Sequence, residues 1–422
     1  MLRHKLTAIM LVLFATLAVA CTGDTQAPTS TAAEADPQAA AIPTDAPTPQ
    51  PEPTAQPTAA EALPPPPTDD APAVLPAPLY YIDEGDGQLY RLERDGSSRV
   101  QVTYEPDPVD EFAVGTERVA YVTNNTLYLV DLFGAGRTAI AEGAPDAEDF
   151  FERLRDLTWH PDGTRLAYYD GGLSIYDVTS GTSELALPSD PVPDFSDEDA
   201  PTPNPDEPAV NISPIAWSPD GQRLLIQEAI YFSDGVEVTV YTPQAGALTR
   251  LSSPGGLVCC NPTWTPDGQS VIISSDSAGF LTPGMWIIDA ETGEGRTLID
   301  GTPTGDVETY TLVFGARELA DGFIYRFQTT VEGFPEEQPP LEMVRSLPDE
   351  SEALTLHPET YIPGVVTWDP AGSGVIILDL TEQYGLQGFP DFPYRGPLVW
   401  LPTDGDPVPL GVIGGDPAWG PN

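Results

Sequence analysis

Two histidines lie beyond the N-terminal segment, His160 and His357, and neither is spaced for chemistry. His160 fills the second position of a Trp-x-Pro-Asp-Gly phrase, where a turn residue is the simplest reading, and His357 precedes Pro358 in a loop. No histidine or cysteine pair has metal-ligand spacing, and no Gly-x-Ser-x-Gly elbow is present for an α/β-hydrolase. Cys259 and Cys260 are adjacent. In an exported chain such neighbours either close a strained vicinal disulfide or remain buried thiols. Residues 189–208 concentrate Asp190, Asp194, Asp197, Glu198, Asp199, Asp206 and Glu207. Carboxylates suit calcium, but without EF-hand spacing or a central glycine the stretch reads as a solvated insertion, and calcium is the only cofactor left open. Residues 382–396 mix Tyr384, Phe389, Phe392, Tyr394 and Arg395. Exposed aromatics with an arginine are the usual composition of a partner-binding hot spot; the same residues could instead fold down as a plug. Many carboxylates make an acid–base pair for sugar chemistry conceivable, yet the sequence singles out none.

Charge narrows the partners. The chain has 65 acidic residues against 17 basic ones, a formal net charge of −48, and Lys5 is its single lysine. Nucleic-acid binding needs Lys and Arg to neutralise phosphates and is excluded. The first twenty residues place Arg3 and Lys5 before an apolar run that small residues close ahead of Cys21, the pattern of an export signal. The run is too short for a lasting membrane span. Residues 22–78 are rich in Pro, Ala and Thr, with no aromatic and no basic residue. Such a segment cannot build a core and reads as a disordered, partly polyproline-like tether, reaching from roughly 40 Å as a coil to about 170 Å fully extended.

Composition changes at Leu79, and an internal repeat then governs the chain. Trp159, Trp217, Trp264, Trp368 and Trp419 open copies of one phrase, spaced by 58, 47, 104 and 51 residues. The long gap implies a degenerate copy, found at Phe314, and an upstream copy starts at Phe112. Each copy reads as a short strand, a Pro-Asp-Gly turn, a buried strand, an alternating strand, a second turn and a polar strand. Proline presets φ and glycine supplies positive φ in the tight turn. Four strands at a period of about 50 residues are the signature of propeller blades. The chain ends in the opening strand of a repeat and the domain begins with the second and third strands of one, so the two fragments complete each other. This predicts an all-β, single β-propeller of seven blades, six if the Phe314 copy is irregular, closed by strands from both ends of residues 79–422. Closure would remove exposed sheet edges.

The residues Ala18-Val19-Ala20-Cys21 resemble a bacterial lipobox, which implies a lipid on the Cys21 thiol and a membrane anchor for residues 21–78. The Trp-x-Pro-Asp-Gly phrases resemble TolB-like, WD-repeat-like propeller repeats over nearly all of 79–422. In that family the turn aspartate is chiefly structural, which implies the same for Asp162, Asp220 and Asp267; Ala371 and Asn422 depart from it. The expected protein is an exported lipoprotein on the bacterial cell envelope, at its periplasmic or cell-surface face. It would act as a non-catalytic binding or scaffold module for an envelope or extracellular protein or glycan. The competing expectation is a small-molecule or sugar-processing enzyme with its site in the central channel.

Overall fold

The computed structural model describes residues 73–144, 150–192, 209–231, 236–252, 261–274, 283–301, 308–333, 339–382 and 394–421. All belong to one compact unit, Pro66–Asn422. Their regular structure is almost entirely antiparallel strand, arranged as a β-propeller of one seven-stranded and five four-stranded sheets. Each four-stranded sheet follows chain order, beginning with an inner strand: Glu111–Val114, Arg155–Trp159, Val210–Trp217, Thr263–Trp264 or Thr309–Glu318. The seven-stranded sheet joins the two ends of the unit. Its long strand Val408–Trp419 pairs with Gly396–Pro402 through its first half, Trp400 opposite Val408, and with Leu79–Asp83 through its second, Leu79 opposite Trp419. The packed region starts a little upstream of Leu79, because Leu75 and Ala77 are buried and Val74 and Leu75 both donate to the Arg94 carbonyl. Two apolar anchors among many prolines and alanines do not disturb composition enough to be read from sequence.

The repeated phrase builds the same turn each time. Gly163, Gly221, Gly268 and Gly372 donate to the carbonyls of His160, Ser218, Thr265 and Asp369 at 2.8–2.9 Å. Proline and the following residue form a type I turn, and the glycine then takes a left-handed φ of 68–79°. At Gly221 a side chain is also excluded by packing: a Cβ there would lie 2.1 Å from His160 Nε2. The turn aspartates cap their own loops. Asp162 accepts from Thr164 N and Oγ1, Asp220 from Gln222 N, and Asp267 from Gln269 N. Where Ala371 replaces the aspartate, Asp369 takes over from within the same turn, accepting from Ser373 N at 3.0 Å and Ser373 Oγ at 2.7 Å.

Neighbouring sheets are joined by the residues of this phrase. The indole N–H groups of Trp159, Trp264, Trp368 and Trp419 donate to Ala113, Ala216, Gly315 and Thr367, carbonyls on the preceding inner strand. Trp217 breaks the series; the His160 ring packs edge-on 4.8 Å from it and Arg165 lies over it at 5.0 Å. Arg223 likewise stacks on Trp264 at 5.3 Å and donates to Gly268 O at 2.6 Å. The core is divided accordingly: each cluster of buried side chains lies between two adjacent four-stranded sets. Leu225, Val240, Trp264 and Val271 make one such layer, and Tyr325, Phe327, Trp368 and Val375 another. The layer holding Leu79, Tyr81, Ile376 and Trp400 brings together strands from the two ends of the unit, Leu79–Asp83 with Gly374–Asp379 and Gly396–Pro402.

Because strands alternate in direction, each set has two different edges. Its first-to-second and third-to-fourth links emerge on one side as tight turns, for example Trp159 to Arg165 and Asp177 to Thr182. Second-to-third links and links to the next set emerge on the other side. These vary from Tyr361–Pro363 to the long connections Pro188–Val210 and Asp379–Gly396.

Candidate functional site

The inner strands converge on a cavity of about 500 Å3 that takes side chains from six of them, Glu111, Asp156, Ser213, Thr263, Arg317 and Thr367 included. A bulge in these strands aims polar groups inward. Asp156, Asn261 and Asp416 each stand three residues before a tryptophan, and each has positive φ, 58°, 44° and 51°. Asp and Asn tolerate the left-handed region better than other side-chain-bearing residues, and a bulge is a recurrent way to re-aim a side chain near a site. The pairing register shifts at the corresponding places, between Arg155 and Thr158 and between Tyr80 and Ile82.

Glu111 fastens the first of these bulges. Its two carboxylate oxygens accept from Asp156 N at 2.8 Å and Leu157 N at 2.7 Å on the neighbouring inner strand. Burial among the inner strands pushes its carboxyl up to about 7, against the pull of the Leu157 N–H, while the Asp416 charge adds to the rise and Arg155 opposes it. Arg155 pairs with Asp156, donates to Asn211 Oδ1 at 2.9 Å and lies over the Tyr169 ring at 4.0 Å; Asn211 in turn donates to the Tyr169 hydroxyl. Asp416, half-exposed though protein surrounds it, is raised by burial and held by Arg395 Nη1 at 3.2 Å.

Arg317 differs from these arginines. It lies on the inner strand just past Phe314 and lines both the central cavity and a second cavity of about 450 Å3 beside Trp217, Trp264, Pro266 and Pro370. Among the described residues no side chain or carbonyl forms a hydrogen bond or ion pair with its guanidinium. Burial lowers its pKa, partly offset by the field of Asp369.

Of the residues singled out from sequence, Asp162, Asp220 and Asp267 sit in the repeat turns, and hydrogen bonds hold all three carboxyls low. Asp162 is at about 2: burial opposes the fall, and bonds from Thr164 and His160 outweigh it. His160 is buried, with Nε2 2.9 Å from Gly221 O. His357 lies in the strand Leu354–Tyr361 rather than a loop, buried with Nε2 2.8 Å from Pro402 O; a strand edge accommodates the following proline. Tyr394 packs against the layer around Trp400, and Arg395 turns to Asp416 at the channel rim. Cys21, Cys259, Cys260, Tyr384, Phe389 and Phe392 lie outside the described residues, as do all the acidic residues of 189–208 except Asp190, whose carboxylate accepts from Val210 N. Among the described residues no three His, Cys, Asp or Glu side chains converge to hold a metal ion, and no helix is long and apolar enough to cross a membrane. Sequence reasoning missed Glu111, Arg317 and Asp416. The acid or amide three residues before Trp159, Trp264 and Trp419 was a usable signal, whereas nothing local marks Glu111 or Arg317.

No family model and no curated protein sequence matches the chain. Among solved structures it is similar to TolB from Acinetobacter baumannii, with 16% identity, 79% of each chain covered and a TM-score of 0.42. An oligogalacturonate lyase in complex with manganese is similar at 12% identity, over 79% of this chain and 84% of that one, with a TM-score of 0.47. A functionally unknown protein from Desulfotomaculum acetoxidans is similar at 14% identity, over 82% of this chain and the whole of that one, with a TM-score of 0.48.

Proposed function

We propose that this chain is an exported lipoprotein, acylated at Cys21 and tethered to the cell envelope through residues 21–78, whose propeller is a non-catalytic module for a protein or glycan partner. The propeller has seven blades. The first is composite: the second half of Val408–Trp419 is its inner strand and Leu79–Asp83, Leu89–Leu92 and Arg99–Gln101 complete it. The regular sheet around Thr309–Glu318 favours seven over six. The pairing of Leu79–Asp83 with Val408–Trp419, and the buried layer that Leu79 and Tyr81 share with Ile376 and Trp400, support closure of the ring.

The observation that carries the binding reading is the difference between the two edges. The tight repeated turns are devoted to joining sheets, while every long connection emerges on the opposite edge, where loop variation is free to make contacts. Arg395 and Tyr394 border that edge. The alternative, an enzyme working in the channel, needs a carboxylate free to move a proton. Glu111, Asp156 and Asp416 are each engaged, by backbone N–H groups, Arg155 and Arg395, which supports the non-catalytic reading. The test is crosslinking capture from host envelope by the mature protein against a variant with Tyr384, Phe389, Phe392 and Tyr394 replaced by alanine. The same capture by both folded proteins would reject this face. Palmitate labelling that survives Cys21→Ser would reject the anchor.

A further inference from the structure

We propose that Arg317 anchors an anion-binding site at the junction of the two cavities, accepting the carboxylate or phosphate end of a small polar ligand. The site is distinct from the partner-binding edge and does not depend on it. Its first support is a contrast among the arginines at the inner strands. Arg155 and Arg395, which also reach the inner strands, each have a carboxylate partner, Asp156 and Asp416. Arg317 has none among the described residues. The carboxylate whose field it feels, Asp369, is almost fully buried and committed to Ser373 through Oδ2. A half-buried guanidinium without a counter-charge is costly to hold, and burial already disfavours its charged form. An oxyanion arriving from solvent supplies what the fold leaves out. The planar, forked guanidinium matches a carboxylate or phosphate in two parallel hydrogen bonds.

The second support is the lining. Ser213 and Gln227 face each other across the strand pair Val210–Trp217 and Leu224–Ile230, and both line the central cavity. Ser213 is 5% exposed, and among the described residues neither side chain makes a hydrogen bond. Their hydroxyl and amide suit a ligand that carries hydroxyl groups as well as its charge, and a cavity of about 500 Å3 holds a small ligand.

The experiment uses the full chain, with glucuronate and inorganic phosphate as charged probes and glucose as the neutral control, at constant ionic strength. Thermal unfolding is followed for wild type, Arg317→Gln and Arg317→Lys. Glucuronate or phosphate should raise the wild-type melting temperature while glucose does not, and Arg317→Gln should weaken the response by roughly tenfold or more in concentration. Arg317→Lys, a point charge without the fork, should fall between. A response to glucuronate alone assigns a carboxylate ligand with hydroxyls; a response to both assigns a general oxyanion site. If Arg317→Gln does not fold, phenylglyoxal modification of the wild type replaces it. Arg317 should be protected by the anion while the exposed Arg296 is not. No wild-type shift up to about 50 mM of either anion, an equal shift in Arg317→Gln, or no protection of Arg317 would overturn the proposal.

Discussion

Glutamine at position 111 should change how stability depends on pH, and the size of that change follows from the geometry of the channel. The Glu111 carboxyl is pushed by burial from 4.5 to about 7 even though two backbone N–H groups point at it. That displacement corresponds to about 3 kcal/mol, and water reaching the channel reduces it to about 1–2 kcal/mol. The sign is set by proton uptake. The native state holds this proton more tightly than the unfolded chain, so the penalty is absent below about pH 4.5, grows as pH rises towards 7, and stays constant above. Glutamine cannot ionise, but it turns one N–H towards another N–H, a loss of about 1–3 kcal/mol at every pH. Glu111→Gln should therefore be less stable than wild type near pH 4.5, and the gap should shrink by about 1–2 kcal/mol by about pH 8. Urea unfolding followed by tryptophan fluorescence, taken as the difference between the two proteins, cancels the carboxylates that do not interact with Glu111. A gap that stays constant or widens with pH would refute the reasoning, because it would mean that the two N–H donors outweigh burial.

Arg223→Ala removes the donor to Gly268 O and the stack on Trp264, and should cost about 1–2 kcal/mol in calorimetry; a neutral result would mean the sheets are not clasped through this residue. Glu350→Ala leaves the fully buried Arg326 without its 2.7 Å partner and should cost about 3 kcal/mol, whereas Arg326→Met should cost less. Gly221→Ala combines a left-handed φ of 69° with a collision on His160 and should cost about 2–3 kcal/mol, part of it recovered when His160 is also made alanine. Removing residues 414–422 strips the partner from Leu79–Asp83 and should give an aggregating product by light scattering, since an unpaired edge is exposed.

The repeat was legible because one short phrase performs two tasks that depend on residue type. Pro-Asp-Gly sets the turn, and tryptophan both fills the layer between sheets and bonds to the preceding strand. The degenerate Phe314 copy was still recognisable by spacing, and it forms an ordinary four-stranded sheet. Ala371 departs from the turn aspartate of the repeat, yet Asp369 caps the turn from two residues away, a substitution visible only once the turn is folded. Pro358 makes His357 read as a loop residue, but the strand tolerates the proline where its pairing shifts between Glu342 and Val344.

The channel belongs to the other category. By itself the sequence determined the all-β class, the repeat and its turns, and the pairing of the first and last strands, because these follow from local φ preferences and from a pattern that recurs along the chain. Tertiary structure alone decided that Glu111 would hold the bulge at Asp156, that Arg395 would turn to Asp416, and that Arg317 would face two cavities without a partner. These groups are separated by tens to hundreds of residues, and each meets its neighbours only where inner strands from different repeats converge. Whether a charge is paired there depends on which residues the convergence brings within a few ångströms, and no local pattern carries that information.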